Sequence, residues 1–522
     1  MKLMKNEKKI IIAIAILAFV IRLAFSLQST DVLIEKVIFD DAFYGYSIAN
    51  NIIHGNGMSL DGKNPTNGLT PMWTLMISPP FILNDSDLPV KTSLIIASVL
   101  DAISVVLIYS LSSFFLKRYR IVPSLIYAVN LFVVAQSLNG LEGALQTTII
   151  LLALNFYFKK DIRSRINFVL FGVISGIAIL TRTDLIFLLG AFLLDSAVRK
   201  ERGILFSAKL LGFVILIVSP WFIWSYVNLG TIQQSSALTV YVHYHGFLEK
   251  TPYGLEDYPK IISNNFVKTF GAVVHHFGFI YNTGIIVKAL SSILVVSTLL
   301  FMIIKFSRFR IIDIYIFSLL FFYPVYLWGI HIRYFTPIIP LLLIAMTVLL
   351  SELTIFWKRG IHIVLALMII VIVVNGFFQI DAGYFPWAKI SRINLAWIEN
   401  YTSPDDVIGS FNSGIISYYS NRSVVNLDGV HNHDAIKAIL EKDVGGYMKR
   451  RNISYWIDGS YVIKNTFEDY LSGKPVNILS ESSYKNVIGN DINLKVLNES
   501  WGIAKHVSGR EMGFVSFIAK VN

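Results

Sequence analysis

The sequence predicts a polytopic α-helical membrane protein with a soluble α/β domain at its C-terminal end. Three observations lead there. The 522 residues are 54% hydrophobic and only 15% charged, far too apolar for a soluble protein of this length. Apolar stretches of about 20 residues, the length that crosses a bilayer, recur through residues 1–380. Residues 381–522 then turn polar, with short β-rich runs alternating with helical patterns. The 45 Lys and Arg against 34 Asp and Glu leave +11. In a soluble protein that excess could mean nucleic acid; here the charge bias of membrane topology accounts for it, and no nucleic-acid partner is expected. With no cysteine, disulfides and thiolate metal sites are excluded.

Eleven stretches qualify as spans: 9–27, 90–116, 120–138, 142–158, 164–181, 183–198, 204–227, 284–305, 311–330, 334–352 and 360–380. The first follows a basic start, Lys2 to Lys9. It is long and lacks a small-residue cleavage site before Gln28, so it reads as a retained anchor rather than a cleaved signal. The fifth and sixth are short and nearly continuous, which predicts a helical hairpin. Orientation follows from the basic loops. Lys5, Lys8 and Lys9 precede the first span. Every second loop after it is basic: Lys117/Arg118/Arg120, Lys159/Lys160/Arg163/Arg165, Arg199/Lys200/Arg202, Lys305/Arg308/Arg310 and Lys358/Arg359. This parity predicts a cytoplasmic N-terminus in a cell or plasma membrane. The extracytoplasmic side then carries loops 28–89 and 228–283 and the domain 381–522. In that domain Val407–Phe411, Val424–Leu427, Ser454–Ile457 and Phe514–Ala519 read as strands, and Ala435–Arg450 as one amphipathic helix.

The first outer loop holds the most informative residues, the adjacent acids Asp40 and Asp41. Ala42–Ile53 behind them has helical spacing and reads as an interfacial helix. Gly55 and Gly57 stop it, and Met72–Ile82 reads as a second short amphipathic run. A carboxylate at a helix N-terminus is favoured in its ionised form and can take a proton from a hydroxyl. Its neighbour could orient it, bind a sugar hydroxyl or hold a divalent metal with it. The bland alternative is a solvated pair capping the helix.

The wider pattern carries a resemblance. Phe39-Asp40-Asp41-Ala42-Phe43, Gly55-Asn56-Gly57 and Asn67-Gly68-Leu69-Thr70-Pro71-Met72-Trp73 resemble integral-membrane glycosyltransferases of the GT-C type. The likeness is to relatives of the mycobacterial arabinofuranosyltransferases and to protein mannosyltransferases. Asn139-Gly140-Leu141-Glu142, Thr181-Arg182-Thr183-Asp184, Arg333-Tyr334-Phe335-Thr336-Pro337 and, in the tail, Asn412-Ser413-Gly414-Ile415 and Val425-Asn426-Leu427-Asp428-Gly429 have the same look. The resemblance implies an enzyme that takes sugar from a polyprenyl-phosphate donor and passes it, on the outer side, to a hydroxyl of a glycan, lipid or protein. By the same resemblance Asp40 or Asp41 is the catalytic base, with Asp40 preferred and Asp41 orienting it.

A donor phosphate needs cations at the membrane surface. The predicted topology offers Arg333, Arg182 and His331 at span ends, with Lys63 and His54 in the first loop. Arg182 could instead pair with Asp184. Glu142 ends a span and could contact the sugar or simply cap a helix.

Other signals are weaker. Asp101 near the middle of the second span could serve a proton relay, but no second mid-span partner is evident, and a structural hydrogen bond is the plainer reading. Tyr455-Trp456-Ile457-Asp458-Gly459 reads as packing. His243, His245, His275 and His276 show no metal-ligand spacing. Asn84, Asn400, Asn421, Asn452 and Asn498 begin Asn-X-Ser/Thr triplets. The competing functions are a transporter or flippase of lipid-linked sugars, which calls for paired ionisable groups and repeat symmetry, and a surface-polysaccharide polymerase or ligase.

Overall fold

The computed structural model describes residues 2–199, 202–244, 256–278, 285–326, 330–353, 358–382, 387–462, 494–505 and 511–521. Among them, six helices are long and apolar enough to cross a membrane: Asn6–Ser26, Leu88–Phe115, Gly203–Leu229, Ile285–Ile304, Phe306–Tyr326 and Ile332–Leu353. Pro71–Leu83, Arg165–Thr181 and His362–Phe378 are apolar but shorter. The eleven expected spans are therefore not eleven uniform rods. The stretch 120–138 is two helices, Val122–Val129 and Leu131–Ser137, broken at Asn130. The Asn130 side chain accepts from the amides of Phe132 and Val133 and donates to the His276 carbonyl, which satisfies the groups the break sets free. Segments 164–181 and 183–198 are helices Arg165–Thr181 and Ile186–Val198 joined by a 3₁₀ turn, and both pack against Gly203–Leu229.

The bundle core is mostly apolar, and a sealed polar cluster lies within it. Arg22 and Asp101 pair at 2.5 Å, both 0% exposed, and Tyr127 donates to the other Asp101 oxygen. The partner that Asp101 lacked by inspection is thus an arginine in the first span. At one end of the bundle, Arg199 and Arg310 converge on Asp195, and Lys305 and Arg308 on Glu352. These are the loops of one predicted parity. The residues of the other parity gather at the opposite end, beneath the tail.

Segment 228–283 is more regular than a loop. It contains helices Ser235–Tyr244 and Tyr258–His275. His276 is a buried core residue bonded to Ala272 O and the Thr336 hydroxyl, which explains its lack of metal-like spacing. His245, and the side chain of His243, lie outside the described residues.

The tail builds a five-stranded sheet in the order β2-β1-β3-β5-β4. Strands β1 (Val407–Ser410), β2 (Ser423–Asn426) and β3 (Ile453–Val462) run parallel. Strands β4 (Leu494–Lys505) and β5 (Glu511–Val521) add an antiparallel edge. The expected helix Ala435–Arg450 is two, His433–Leu440 and Val444–Arg450, because Lys442 takes a left-handed φ of 57° and Asp443 starts a new cap. Phe411, Leu427, Ile439, Met448, Trp456 and Phe517 form the tail core.

Candidate active site

Asp40 and Asp41 are the first two residues of helix Asp40–Ile53, with Phe39 at the N-cap. Neighbouring helical positions point about 100° apart, so the two carboxylates cannot share one surface. Nor is this helix an interfacial one lying open on lipid. Ala42, Phe43, Tyr44, Tyr46, Ser47, Ile48 and Ala49 are all buried, because the tail roofs it. The loop Asn139–Glu142 packs close by: Phe39 N–H donates to Asn139 O, and the Trp73 indole to Gly140 O. Gly140 has φ +84°, and a Cβ there would stand 2.6 Å from the Ala42 methyl. The Asn-Gly-Leu-Glu motif is therefore what lets this loop press against the Asp40 helix.

Asp40 faces the tail. Its carboxylate accepts the amides of Gly414 (3.2 Å) and Ile415 (2.8 Å), at the start of helix Gly414–Tyr419. A Cβ on Gly414 would fall 2.2 Å from the Asp40 carbonyl oxygen, so only glycine fits. Burial outweighs these amides and the helix N-terminus, and pushes the Asp40 carboxyl up to about 7, with Asp41 adding to the rise. The expected open, ionised carboxylate is thus a buried one, and its two oxygens join the tail to the bundle.

Asp41 faces a cavity of about 830 Å³ at the end of the bundle. Its carboxylate is 52% exposed and pairs with Arg333 at 2.7 Å. Withdrawal from water pushes it up, but the Arg333 guanidinium and its hydrogen bond more than offset this, so the carboxyl is held below the usual range. Arg182 lines the same cavity. It is held by Glu142 (2.5 Å) and Asp184 (3.0 Å), and Asp184 also takes the Tyr323 hydroxyl. Both guanidiniums stand 5.4 Å from the centre of the Tyr334 ring, on which Tyr323 stacks. His331 lines the cavity too, edge-on to Tyr334.

The structure thus brings together Asp41, Arg333, Arg182, Glu142 and His331. It does not bring His54 or Lys63. The exposed His54 ring bonds to Asn84 and Asn50 O, and Lys63 is exposed in a loop organised by Asp61. Neither side chain lines the cavity, although Gly68, Leu69 and Thr70 further along the same loop do.

The tail supplies the facing wall. Loops after β1 and β2 place Asn412, Asp428, Val430 and His431 on the cavity, at the carboxyl ends of parallel strands where ligands commonly sit. Asp428 accepts the Val430 amide at 2.7 Å, and burial pushes its carboxyl up to about 7. The His431 ring lies against Tyr44, tilted 40° with centroids 4.5 Å apart; burial depresses its imidazole to about 4, so it is neutral. Sequence reading assigned neither of them a role. The signal that could have found them was the acid in Leu427-Asp428-Gly429 directly after a predicted strand. Asp458, read as part of a packing segment, anchors this wall. It accepts the amides of Phe411 and Gly459, the Asn412 side chain and the Trp456 indole, and burial raises it to about 6.

The chain has the GT-C membrane fold and is an integral membrane protein. ArnT from Cupriavidus metallidurans, bound to undecaprenyl phosphate, superposes with a TM-score of 0.55 over 98% of both chains at 11% identity. The Archaeoglobus fulgidus oligosaccharyltransferase in complex with Zn and sulfate matches with a TM-score of 0.53 at 15% identity, over 87% of this chain and 69% of its own. AglB from the same organism, in complex with an inhibitory peptide and a dolichol-phosphate, matches at 0.50 and 12% identity over 85% and 69%. Residues 381–505 match a domain of unknown function, DUF8728. No curated protein matches in sequence. Zinc in the oligosaccharyltransferase raises the question of a metal here. Asp41 is engaged by Arg333, and Glu142 and Asp184 by Arg182. Among the described residues no three His, Asp or Glu side chains form a ligand set. The charges of these three acids are matched by guanidiniums.

Proposed function

We propose that the protein is a membrane glycosyltransferase that moves a hexosyl or pentosyl unit from a polyprenyl-phosphate donor to an acceptor hydroxyl. One observation carries this reading. A half-exposed, ionised carboxylate, Asp41, and the guanidinium of Arg333 meet at 2.7 Å on the wall of one large cavity. In-line displacement needs these two groups: a base for the acceptor and a cation for the leaving phosphate. Asp41 takes the acceptor proton as the oxygen attacks the anomeric carbon. The bond to the phosphate oxygen breaks on the opposite face, and the electron pair leaves with polyprenyl phosphate. The anomeric centre inverts. Arg333 spends one edge on Asp41, and its remaining N–H groups are available to the phosphate. Arg182, already matched by two acids, holds the cavity's shape around Tyr334. Asp428 and His431 face the acceptor, which is a glycan, lipid or protein.

The polyprenyl phosphates in the ArnT and AglB structures support a lipid-borne donor, and the inhibitory peptide in AglB supports an acceptor bound beside it. The basic-loop parity supports an extracytoplasmic cavity, with residues 1–380 as the membrane module and 381–522 as the outer domain. The transporter reading asks for ionisable groups along a path. Arg22 and Asp101 do not serve it, since both are fully buried and neither lines the cavity.

The test is transfer from radiolabelled polyprenyl-phosphate sugars by the purified protein in liposomes, with the accumulating lipid identified in a deletion strain. Wild-type transfer by a folded Asp41→Asn variant would sink the assignment.

A further inference from the structure

The bundle end opposite the transfer cavity gathers more positive charge than it matches. Asp195, only 1% exposed, sits near the end of helix Ile186–Val198. Arg199 reaches it at 2.6 Å, Arg310 pairs with its other oxygen, and the Tyr157 hydroxyl donates to it. A third guanidinium, Arg202, lies over the Tyr157 ring at 4.5 Å and forms no ion pair among the described residues. Three guanidiniums against one carboxylate leave two positive charges over. The next acid, Asp161, is already taken by Arg163 at 2.9 Å. Lys200 and Glu201, between Arg199 and Arg202 in sequence, have opposite charges and leave the excess unchanged. One guanidinium is enough to pair a buried carboxylate, so the burial of Asp195 does not call for three.

Arg199 and Arg310 are 41% and 35% exposed. A guanidinium has five N–H donors, and each of these uses only one edge on Asp195, so donors remain for an outside acceptor. Arginine forks match phosphate oxygens two at a time. The surface beside them is apolar: Leu194, Val198, Ile204 and Leu205, each within three residues of Asp195, Arg199 or Arg202, are exposed. Gly203–Leu229, which starts here, is one of the helices fit to cross the membrane. Cations beside lipid-facing aliphatic side chains suit an anion that carries its own acyl chains. A free phosphate would use the guanidiniums alone.

We propose that this arginine cluster binds the phosphate of an anionic phospholipid, with the acyl chains lying along Leu194, Val198 and Ile204. Basic pockets between membrane helices hold such headgroups. One headgroup ties together helices Ile186–Val198, Gly203–Leu229 and Phe306–Tyr326, which also place Phe187, Trp221 and Tyr323 on the transfer cavity. The site stands apart from the glycosyltransferase reading.

Native mass spectrometry of the delipidated full-length protein tests it, with phosphatidylglycerol, phosphatidylcholine and inorganic phosphate as probes. Phosphatidylglycerol binds at least about tenfold tighter than phosphatidylcholine, and Arg202→Gln and Arg199→Gln each weaken it about fivefold. Arg310 keeps Asp195 paired in both variants, so neither leaves a buried charge alone. Arg118→Gln, which removes an exposed charge outside the cluster, leaves the binding unchanged. So does Asp41→Asn, whether or not transfer is lost. Equal binding of the two lipids overturns the proposal. So does an equal loss in Arg118→Gln, or no loss in either cluster variant. Inorganic phosphate binding as tightly as phosphatidylglycerol makes this an anion site without lipid and rejects the assignment.

Discussion

Two arginine–aspartate pairs in this chain have nearly the same geometry and opposite surroundings. Arg22 and Asp101 meet at 2.5 Å with neither side chain exposed. Arg22 also donates to the carbonyls of Ala18 and Ala128, and Asp101 accepts from Tyr127. Both carboxylate oxygens are taken. Asp41 and Arg333 meet at 2.7 Å, but the carboxylate is 52% exposed and the guanidinium 18%. Here one pair is sealed inside the protein and the other is left open to a cavity. The difference separates a polar staple inside the bundle from a pair with capacity for substrate.

That contrast can be broken by exchanging which pair is disturbed. Asp41→Asn lowers transfer by about 10²–10⁴-fold, the range for loss of a general base, while the melting temperature in detergent stays near wild type. Arg22→Ala does the reverse. It leaves Asp101 buried without its cation and destabilises the protein by about 3–5 kcal/mol in thermal or denaturant unfolding, with transfer per folded molecule retained. The double change Arg22→Met/Asp101→Leu restores most of that loss, since no buried charge is left over. A double variant that stays stable but loses transfer would make the interior pair a functional one and remove the distinction.

The sequence carried the membrane class, the polar tail and several residues of the cavity, because these depend on apolar runs and local motifs. Arg182, Glu142 and Arg333 could be picked out as span-end residues, and the structure gathers them within one cavity. It could not resolve Asp40 from Asp41. The 100° between neighbours on a helix separates them, and what each meets comes from segments 292 to 375 residues away: Gly414 and Ile415 for one, Arg333 for the other. The break at Asn130 was equally hidden, since the carbonyl that completes it belongs to His276. Asp428 went unassigned for the same reason, as a tail residue that reaches the cavity only once β2 is docked.

Asp428 gives a subtler way to sharpen the comparison. Burial pushes its carboxyl up to about 7, the nearby Asp41 charge adds to this, and the Val430 amide and Asn426 pull it back. It is protonated below that pH and ionised above it. Ionisation adds a negative charge to a cavity proposed to hold a phosphate, so kcat/KM for the donor falls as pH rises from about 6 to about 8. The drop is up to about fivefold, the equivalent of about 1 kcal/mol of repulsion. Asp41 is held below the ordinary 3.8 and stays ionised throughout. Asp428→Asn therefore flattens this limb; an unchanged limb would place the titrating group elsewhere.

The smallest effect concerns Asp40, and it has the opposite sign to what an open ion pair would give. Its carboxyl rises from 3.8 to about 7, through burial first and the Asp41 charge second, against the amides of Ile415 and Gly414. Between those values the folded protein keeps a proton that the unfolded chain has released. The stability from this group is thus fully present below about pH 4 and is lost as pH rises through about 7. Asparagine cannot ionise, but it offers one carbonyl oxygen where Asp40 gives one oxygen to each amide, so one of the Gly414 and Ile415 amides loses its acceptor. Asp40→Asn should cost about 1–2 kcal/mol near pH 5, and the gap to wild type should shrink toward pH 8. Its transfer rate should stay close to wild type, because Asp40 holds the tail and does not touch the cavity. Melting curves across that range, read beside the transfer rate, check both halves. If transfer in Asp40→Asn fell as far as in Asp41→Asn, at wild-type stability, the proton would pass to Asp40, and the open pair would be its support.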